Sequence, residues 1–353
     1  MEKQIKGEGS TVIYGVPRVG YGTYDGCTPL PICLKAVANA LGDEMDYNEI
    51  IATSGAGFRL VWDTACWNGG NVDVLLAYDD PKRCFENGVR ALGRSCEMLW
   101  RQPGVTKQDF IDFIKCSIDA GRPIIATGII GPPEACIVTG YRDNGATLLG
   151  WNFFQDNPEF GGNTTFDECG YFITDTWWEG ADTRALIAIG EKTGAKPGLD
   201  VLARNAIDAL EGRMEGSYAK GVMAYGAWKQ AIGNDAAFPA GAVLPLLAER
   251  IMCHGDALDC LSDGRARVPQ YLRALAAQAP EHAQTLTQAA SAFDEVAAMA
   301  QAMFDQLGGW HRGEEQMRRL ADPELRKAAC GFIDRAEAAD RQGLAAMKAL
   351  VGE

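Results

Sequence analysis

The sequence predicts an α+β domain over residues 1–193, followed by an all-α helical domain over residues 197–353. The first part alternates short β-rich runs with Gly, Pro and Asn turns, and the second is rich in Ala, Leu, Glu and Arg at helical spacing. The segment 192–197 (KTGAKP) lies between these two textures. A chain of 353 residues also exceeds what one ordinary core supports, which favours two domains.

The first domain mixes predicted strands with predicted helices. The predicted strands are 11–14, 58–62, 97–100, 123–129, 135–141, 147–152, 171–173 and 185–189. The predicted helices are 29–41, 71–78, 83–92 and 106–120. The last helix begins at Thr106 with Asp109 three residues later, as in a capping box. Asn144-Gly145 predicts a tight hairpin, so this part of the sheet is expected to be antiparallel.

The second domain is expected to contain roughly five to seven helices, judged from the spacing of its apolar residues. Breaks between helices are predicted near 233–235, 239–241, 264, 280 and 308–309. The broad Ala and Leu faces of these helices suit packing against one another, and they would also serve a homodimer. We therefore expect a homo-oligomer.

Composition and charge exclude several classes of protein. With 47% hydrophobic and 23% charged residues, the chain has an ordinary globular balance. A net charge of −14 argues against nucleic acid and anionic membrane surfaces as partners. No apolar run is long enough for a membrane span or a signal peptide, so a cytoplasmic location is expected. Eleven cysteines without a CxxC pair indicate reduced thiols.

The candidate nucleophile is Cys27, in the segment 25–30 (DGCTPL) that leads into the predicted helix 29–41. A cysteine at the amino end of a helix experiences the positive end of the helix dipole and free backbone N–H groups. These lower the pKa of the thiol and supply donors to an oxyanion. The alternative is a structural thiol in a turn. Cys33, on the apolar face of the same helix, is predicted to be a core residue.

The order of several short motifs resembles the C39-like branch of the papain-type cysteine peptidases. It resembles more loosely the N-terminal domain of the butirosin-biosynthesis acyltransferase family. The motifs, in order, are Cys27, Leu41-Gly42, Tyr47, 54–58 (SGAGF), 138–141 (VTGY) with Gly145, and then Asn152 or Asp156. The resemblance covers about residues 10–190. It implies a papain-like (C39-like) α+β fold, with Cys27 as nucleophile and Asn152 or Asp156 as an orienting residue.

The chain departs from that family at the general base. Glu134 occupies the position of the usual histidine, and the three histidines of the chain all come at residue 254 or later. Without an imidazole, the Cys–His ion pair and the proton donor to the leaving amine are both missing. Glu134 is therefore the candidate base, although a carboxylate beside a thiol disfavours the thiolate. The structural alternatives are an edge residue paired with an arginine for Glu134, and turn formers for Asn152 and Asp156.

Aromatic and polar residues surround a Gly-Gly turn in the segment 59–73 (RLVWDTACWNGGNVD). A few polar groups among aromatic rings suit the wall of a pocket for a small ligand. The candidate substrate-binding residues are Trp62, Asp63, Trp67 and Asn71 here, with Trp151 and Phe154 in the segment 150–156 (GWNFFQD). The alternative is that these aromatic side chains fill the core.

His254 follows Leu247 and Ile251 at helical spacing, so it lies on an apolar helix face. It is predicted either to be a buried core histidine or to reach the pocket as a substrate-binding residue. The sequence contains no Walker A loop, GxGxxG, HExxH, paired-cysteine zinc pattern or EF-hand loop. No metal and no cofactor are therefore expected.

Two functions are consistent with these features. The first is a cysteine-dependent amide hydrolase or acyltransferase that acts on a small-molecule or peptide-like substrate, with Cys27 as nucleophile and Glu134 as base. The second is a catalytically silent protein of the same fold, which binds a small molecule or peptide in an aromatic-lined pocket. The reactivity of Cys27 distinguishes them.

Overall fold

Strands and helices alternate over the first part of the chain, and long helices dominate the rest. The computed structural model describes residues 4–70, 72–162 and 164–353. The strands are β1 (Gln4–Gly7), β2 (Ser10–Ile13), β3 (Val61–Asp63), β4 (Arg94–Trp100), β5 (Ile124–Thr127), β6 (Ala135–Arg142), β7 (Thr147–Trp151), β8 (Thr165–Phe166), β9 (Phe172–Thr174), β10 (Ala185–Lys192), β11 (Arg213–Glu215) and β12 (Tyr218–Lys220). The helices are α1 (Pro29–Ala40), α2 (Tyr47–Thr53), α3 (Arg83–Ala91), α4 (Lys107–Asp119), α5 (Pro158–Gly161), α6 (Leu199–Leu210), α7 (Val222–Gly233), α8 (Leu244–Gln278), α9 (Ala283–Leu307), α10 (Glu314–Ala321) and α11 (Pro323–Leu350).

The chain divides into two compact units, each built from two separate stretches of sequence. Unit 1 comprises Met1–Ile50 and Phe85–Lys196, and unit 2 comprises Ile51–Cys84 and Pro197–Glu353. The crossing after Lys196 falls in the segment that separates the two sequence textures. The other two crossings lie within α2 and α3, so the stretch from Ile51 to Cys84 groups with the C-terminal helices.

Unit 1 contains a nine-stranded antiparallel sheet, which confirms the predicted α+β class. Its strand order is β4-β10-β5-β6-β7-β9-β8, and β2 pairs with both β1 and β6. Strand β6 is central, and all its residues from Ala135 to Tyr141 are buried. The predicted hairpin joins β6 to β7, where Asp143 and Asn144 have positive φ of 52° and 55°. Asparagine and aspartate tolerate this left-handed backbone better than most residues.

Two helices of unit 1 contact β6 and follow from local sequence signals. Helix α1 carries Ile32, Cys33 and Val37, all fully buried. Helix α4 begins with the predicted capping box, in which the Thr106 side chain accepts from the Asp109 N–H and the Asp109 side chain accepts from the Thr106 N–H. Each bond satisfies one of the N–H groups that a helix start leaves free.

Unit 2 is helical as predicted, with one exception. The prediction of an all-helical C-terminal domain was wrong for residues 213–220, where β11 and β12 form a hairpin that pairs with β3 in a three-stranded sheet. These strands are three residues each, which is too short for a clear alternating pattern. The predicted helix 71–78 was also wrong in extent, because among the described residues only Val74–Leu76 form a short 3₁₀ helix.

Gly264 lies within the continuous helix α8 and not at the predicted break. A Cβ at this position would lie only 2.2 Å from the carbonyl oxygen of Gly57. Glycine is therefore required here because the backbone near Gly57 packs directly against the helix. None of the helices in the described residues combines the length and apolarity that crossing a membrane requires.

A fully buried ion pair in unit 2 fixes the segment next to Gly57. Arg265 of α8 donates to both carboxylate oxygens of Asp340 on α11, at 3.1 and 2.7 Å. It also donates to the carbonyl oxygens of Gly57 (2.7 Å), Phe58 (2.8 Å) and Arg59 (3.1 Å). All guanidinium nitrogens therefore have acceptors, which compensates for the cost of burying the charge.

Candidate active site

Cys27 lies at the start of α1, as the sequence predicts. It is partly exposed, and Thr28 is the N-cap residue of the helix. The turn before Cys27 is closed by hydrogen bonds from the Gly22 N–H to the Gly26 carbonyl (2.8 Å) and from the Gly26 N–H to the Thr23 carbonyl (3.2 Å). This turn holds the thiol at the positive end of the helix dipole.

The first turn of α1 offers few backbone donors to an oxyanion. Pro29 and Pro31 carry no N–H, and the Ile32 N–H donates to the Thr28 carbonyl at 3.3 Å. The N–H groups that a developing oxyanion near Cys27 could use are therefore those of the loop and of Leu30. This restricts the oxyanion site to the immediate neighbourhood of Cys27.

Cys33, the other thiol on α1, is buried and its Sγ approaches the carbonyl oxygen of Ala135 at 3.5 Å. Burial raises the pKa of this thiol well above its ordinary value, and the nearby Cys136 and Glu134 add to the effect. A buried, protonated thiol is inert at neutral pH. Cys33 is thus a core residue, and it marks the side of α1 that faces the start of β6.

Glu134 immediately precedes β6, at the end of the loop 128–134 that joins β5 to β6. Its carbonyl accepts from the Gly128 N–H at 3.0 Å, and its N–H donates to the Pro132 carbonyl at 2.7 Å. Ile129 in this loop has φ of 68°, a left-handed conformation that is rare for a β-branched residue. Such strain costs of order 1–3 kcal/mol and is found at functional sites more often than elsewhere.

Asn152 follows β7 and connects two segments of the site. Its Nδ2 donates to the Gly128 carbonyl at 2.8 Å, and its Oδ1 accepts from the Phe154 N–H at 2.8 Å. The side chain is buried, and these bonds fix both the loop 128–134 and the turn after β7. Asn152 therefore positions the backbone of the candidate site.

Aromatic contacts join the loop before Cys27 to the segment that follows Asn152. The ring centroid of Tyr21 lies 5.0 Å from that of Phe153 and 6.3 Å from that of Phe154. On the other side, a Cβ at Gly131 would lie 3.2 Å from Phe154. The loop before Cys27, the loop that ends at Glu134 and the segment after Asn152 thus meet around Phe154, where β6 begins and β7 ends.

Asp156 is exposed and forms an ion pair with Arg18. The Arg18 guanidinium also lies over the ring of Trp151, 5.4 Å from its centroid. Trp151 is buried, and its Nε1–H donates to the Val16 carbonyl at 2.9 Å. Asp156 and Trp151 therefore lie at the flank of the site and hold the chain from Val16 to Arg18. Of the predicted aromatic residues in this segment, Phe154 has the more accessible ring.

The second group of predicted binding residues lies in unit 2, largely inside its core. Trp62 is 2% exposed and its ring stacks on that of Trp228 at 6.2 Å. His254 is buried, and its Nδ1 accepts from the Trp228 indole N–H at 3.0 Å. Burial, followed by the charge of Arg312, lowers the pKa of His254 to about 3. The imidazole is therefore a neutral acceptor within the core of this unit.

Asp63 is the last residue of β3, and Trp67 lies in the segment that follows it. Asp63 Oδ1 accepts from the Ala65 N–H at 2.9 Å, and Oδ2 accepts from Asn68 Nδ2 at 3.3 Å. Burial alone would raise the pKa of Asp63, but hydrogen bonds from Ala65 and its other neighbours hold it below the ordinary value. Trp67 is partly buried, with the Arg250 guanidinium 4.5 Å from its ring centroid. Asn71 lies outside the described residues.

A further charged group in unit 2, Arg312 with Asp256 and Asp259, was not among the predicted site residues. Arg312 donates to Asp256 Oδ1 and to Asp259 Oδ2, both at 2.5 Å. Burial raises the pKa of Asp256 to about 6, against the opposing charge of Arg312. The spacing of Asp256, Asp259 and Asp263 along one apolar helix face is the sequence signal that could have revealed it.

Comparison of the sequence with protein-family models and with curated proteins finds no match. Within residues 4–70, 72–162 and 164–353, no three His, Cys, Asp or Glu side chains converge as the ligands of a metal ion would. The chemistry of the site is therefore argued from its own residues.

Proposed function

We propose that the protein is a cysteine-dependent amide hydrolase or acyltransferase with a papain-like (C39-like) unit 1, in which Cys27 is the nucleophile. The observation that carries the proposal is the convergence of three segments around Phe154. One supplies a partly exposed thiol at the amino end of α1, one supplies Glu134, and one is fixed by Asn152.

The reaction that these groups support is acyl transfer through a thioester. Glu134 accepts the proton of the Cys27 thiol, and the sulfur attacks the carbonyl carbon of the substrate to form a C–S bond. The C–N bond then breaks, and the leaving amine takes the proton back from Glu134. Water or a second amine next attacks the thioester, which releases the acyl group and restores the thiol.

A second function is favoured by a specific observation. Unit 1 contains no histidine, so a Cys–His pair cannot form from its own residues, and the Asn152 side chain bonds backbone groups of two segments. The region around Phe154 would then bind a small molecule or peptide without turning it over. In this alternative the aromatic rings supply the binding energy, and Cys27 has no chemical role.

The experiment is to measure the reactivity of each cysteine at neutral pH. The protein is treated with iodoacetamide, and with p-nitrophenyl acetate as an acyl donor, and the modified cysteines are identified by mass spectrometry. Cys116 and Cys169, which are exposed, provide the internal reference. We expect Cys27 to react faster than both and to retain the acetyl group as a thioester.

Two variants test the assigned roles. Cys27→Ser should abolish the thioester, whereas Cys116→Ser should leave it unchanged. Glu134→Gln should slow acylation by roughly 100- to 10,000-fold, the usual contribution of a general base. If Cys27 reacts no faster than Cys116 and no thioester forms, the catalytic proposal fails and the binding function remains.

A further inference from the structure

Four aromatic side chains form a continuous cluster at the candidate site of unit 1. The ring of Tyr21 contacts those of Phe153 and Phe154, and the Phe154 ring lies 5.3 Å from that of Phe160. Tyr21 is 55% exposed and Phe160 is 40% exposed. Large apolar groups exposed side by side usually mark a surface that binds something, because exposing them to water has a free-energy cost.

This aromatic cluster (Tyr21, Phe153, Phe154 and Phe160) lies beside the groups assigned to chemistry. Tyr21 belongs to the turn that is closed by the Gly22 N–H to Gly26 carbonyl bond, and Cys27 follows directly. Gly131, in the loop that ends at Glu134, would place a Cβ 3.2 Å from Phe160 as well as from Phe154. A side chain at Gly131 would therefore cover the rings, and glycine leaves them accessible.

The charges around the aromatic cluster determine what kind of group it suits. Arg18, a cation on this flank, forms an ion pair with Asp156. Asp25 lies two residues before Cys27, and the Glu134 carboxylate is close enough to α1 to raise the pKa of Cys33. An anionic group would have to displace Asp156 from Arg18, and the acidic residues in these segments disfavour it. A neutral, flat, apolar group gains from ring contacts and has no such penalty.

We infer that the aromatic cluster binds an uncharged aromatic group of the substrate, next to the carbonyl that Cys27 attacks. The position of the carbonyl rests on the proposed function, whereas recognition of the aromatic group does not. Tyr21 and Phe160 are specificity-determining residues in this inference, because they present the most accessible rings.

Binding is tested first, in the Cys27→Ser variant, so that no turnover intervenes. Isothermal titration calorimetry compares N-acetyl-L-phenylalaninamide with N-acetyl-L-alaninamide, which lacks the ring, and with N-acetyl-L-phenylalanine, which adds a carboxylate. We expect the first to bind most tightly. In the same background, Tyr21→Ala should weaken it by about 2- to 12-fold, equivalent to 0.5–1.5 kcal/mol for one aromatic contact. Tyr21→Phe should retain the affinity.

Phe166 is the matched control, because it is 45% exposed and lies on β8 of the same unit. Phe166→Ala should leave binding unchanged. Equal affinities for the phenylalanine and alanine amides overturn the inference, as does an unchanged affinity in Tyr21→Ala. Equal losses in Tyr21→Ala and Phe166→Ala also overturn it. Far-UV circular dichroism verifies that each variant is folded.

Acylation then separates this inference from the proposed function. The wild-type protein is treated with the S-ethyl thioester of phenylacetic acid or of acetic acid, whose leaving group carries no ring, and thioester formation at Cys27 is followed by mass spectrometry. If Tyr21-dependent binding occurs and no thioester forms, the inference holds and the catalytic proposal fails. If both esters acylate Cys27 at the same rate, the catalytic proposal holds and the inference fails.

Discussion

Two of the buried aspartates in unit 2, Asp340 and Asp256, have sharply different surroundings. Asp340 accepts from Arg265 through both oxygens and from the Tyr225 hydroxyl at 2.6 Å, so its charge is fully compensated. Asp256 is almost as buried, yet Arg312 reaches only its Oδ1, and no donor among the described residues reaches its Oδ2. A buried carboxylate with donors to both oxygens stabilises the fold. A buried carboxylate with a donor to only one oxygen has an energetic cost.

The two arginines differ in the number of carboxylates that each one neutralises. Arg265 serves one carboxylate and three backbone carbonyls, all held in place by packed helices. Arg312 is shared between two carboxylates, Asp256 and Asp259. Burial raises the pKa of Asp256, and the charge of Asp259 adds to this rise, because one shared arginine does not offset both effects.

The largest expected effect on stability comes from breaking the ion pair between Arg265 and Asp340. Asp340→Asn should lower the free energy of unfolding by about 3–5 kcal/mol, because it leaves the Arg265 charge buried without its counterion. The double variant Arg265→Met with Asp340→Leu should not recover stability, since the carbonyls of residues 57–59 would lose their donors. Urea denaturation followed by far-UV circular dichroism measures both. Full recovery in the double variant would refute the role given to the carbonyls.

A second change acts on the contact between Gly264 and the backbone of Gly57, next to the Arg265–Asp340 ion pair. Gly264→Ala places a Cβ 2.2 Å from the Gly57 carbonyl oxygen and should cost about 3 kcal/mol by displacing the segment that accepts from Arg265. Gly226→Ala, on the exposed face of α7 with nothing near its Cβ, is the control and should stabilise by about 0.5–1 kcal/mol. The same denaturation measurement applies, and equal effects of the two variants would contradict the close packing.

The raised pKa of the Asp256 carboxyl predicts that the free energy of unfolding depends on pH. The pKa of Asp256 is raised from 3.8 to about 6 in the folded state, so its contribution to stability is largest at low pH and is lost as pH rises through that range. The stability of Asp256→Asn relative to wild type should therefore increase by about 2 kcal/mol between pH 4 and pH 7. Asp305→Asn, an exposed aspartate on α9, controls for the loss of one charge. If the stability difference between Asp256→Asn and wild type does not change with pH, the pKa of Asp256 is not raised in the folded state.

The smallest expected effect belongs to an exposed ion pair of the same unit. Asp294→Asn removes the partner of Arg273, where both side chains are 47% exposed. Water already solvates these charges, so the free energy of unfolding should change by less than about 1 kcal/mol. A loss comparable to that of Asp340→Asn would remove the distinction between buried and exposed pairs.

Local signals in the sequence predicted much of unit 1. The capping box at Thr106, the hairpin at Asn144 and the helix that follows Cys27 each depend on a few adjacent residues, and each was found. The prediction that Cys27 and Glu134 share a catalytic site remains a prediction. What the sequence did not indicate was the aromatic bridge from Tyr21 to Phe153 and Phe154, because those positions are far apart in the chain.

Unit 2 was harder to predict, because its decisive contacts are long-range. Arg265 and Asp340 are 75 positions apart, and neither stands out from many other charged helical residues. Gly264 looked like a helix break, since glycine lowers helix propensity, but the close approach of Gly57 accounts for it. The short strands β11 and β12 gain their stability from pairing with β3, which a local pattern does not reveal.

The crossing of the chain between the units has a consequence for synthesis. All of unit 1 has been translated once Lys196 is added, and early domains generally fold first. Strand β3 and Trp62, however, must wait for β12 and Trp228, which are made much later. During that interval the nascent chain carries an unpaired strand edge and an uncovered tryptophan, both of which favour association with other chains. A ribosome that stalls after Lys196 but before β12 has been made therefore leaves an aggregation-prone intermediate, and chaperones that hold such segments should bind it.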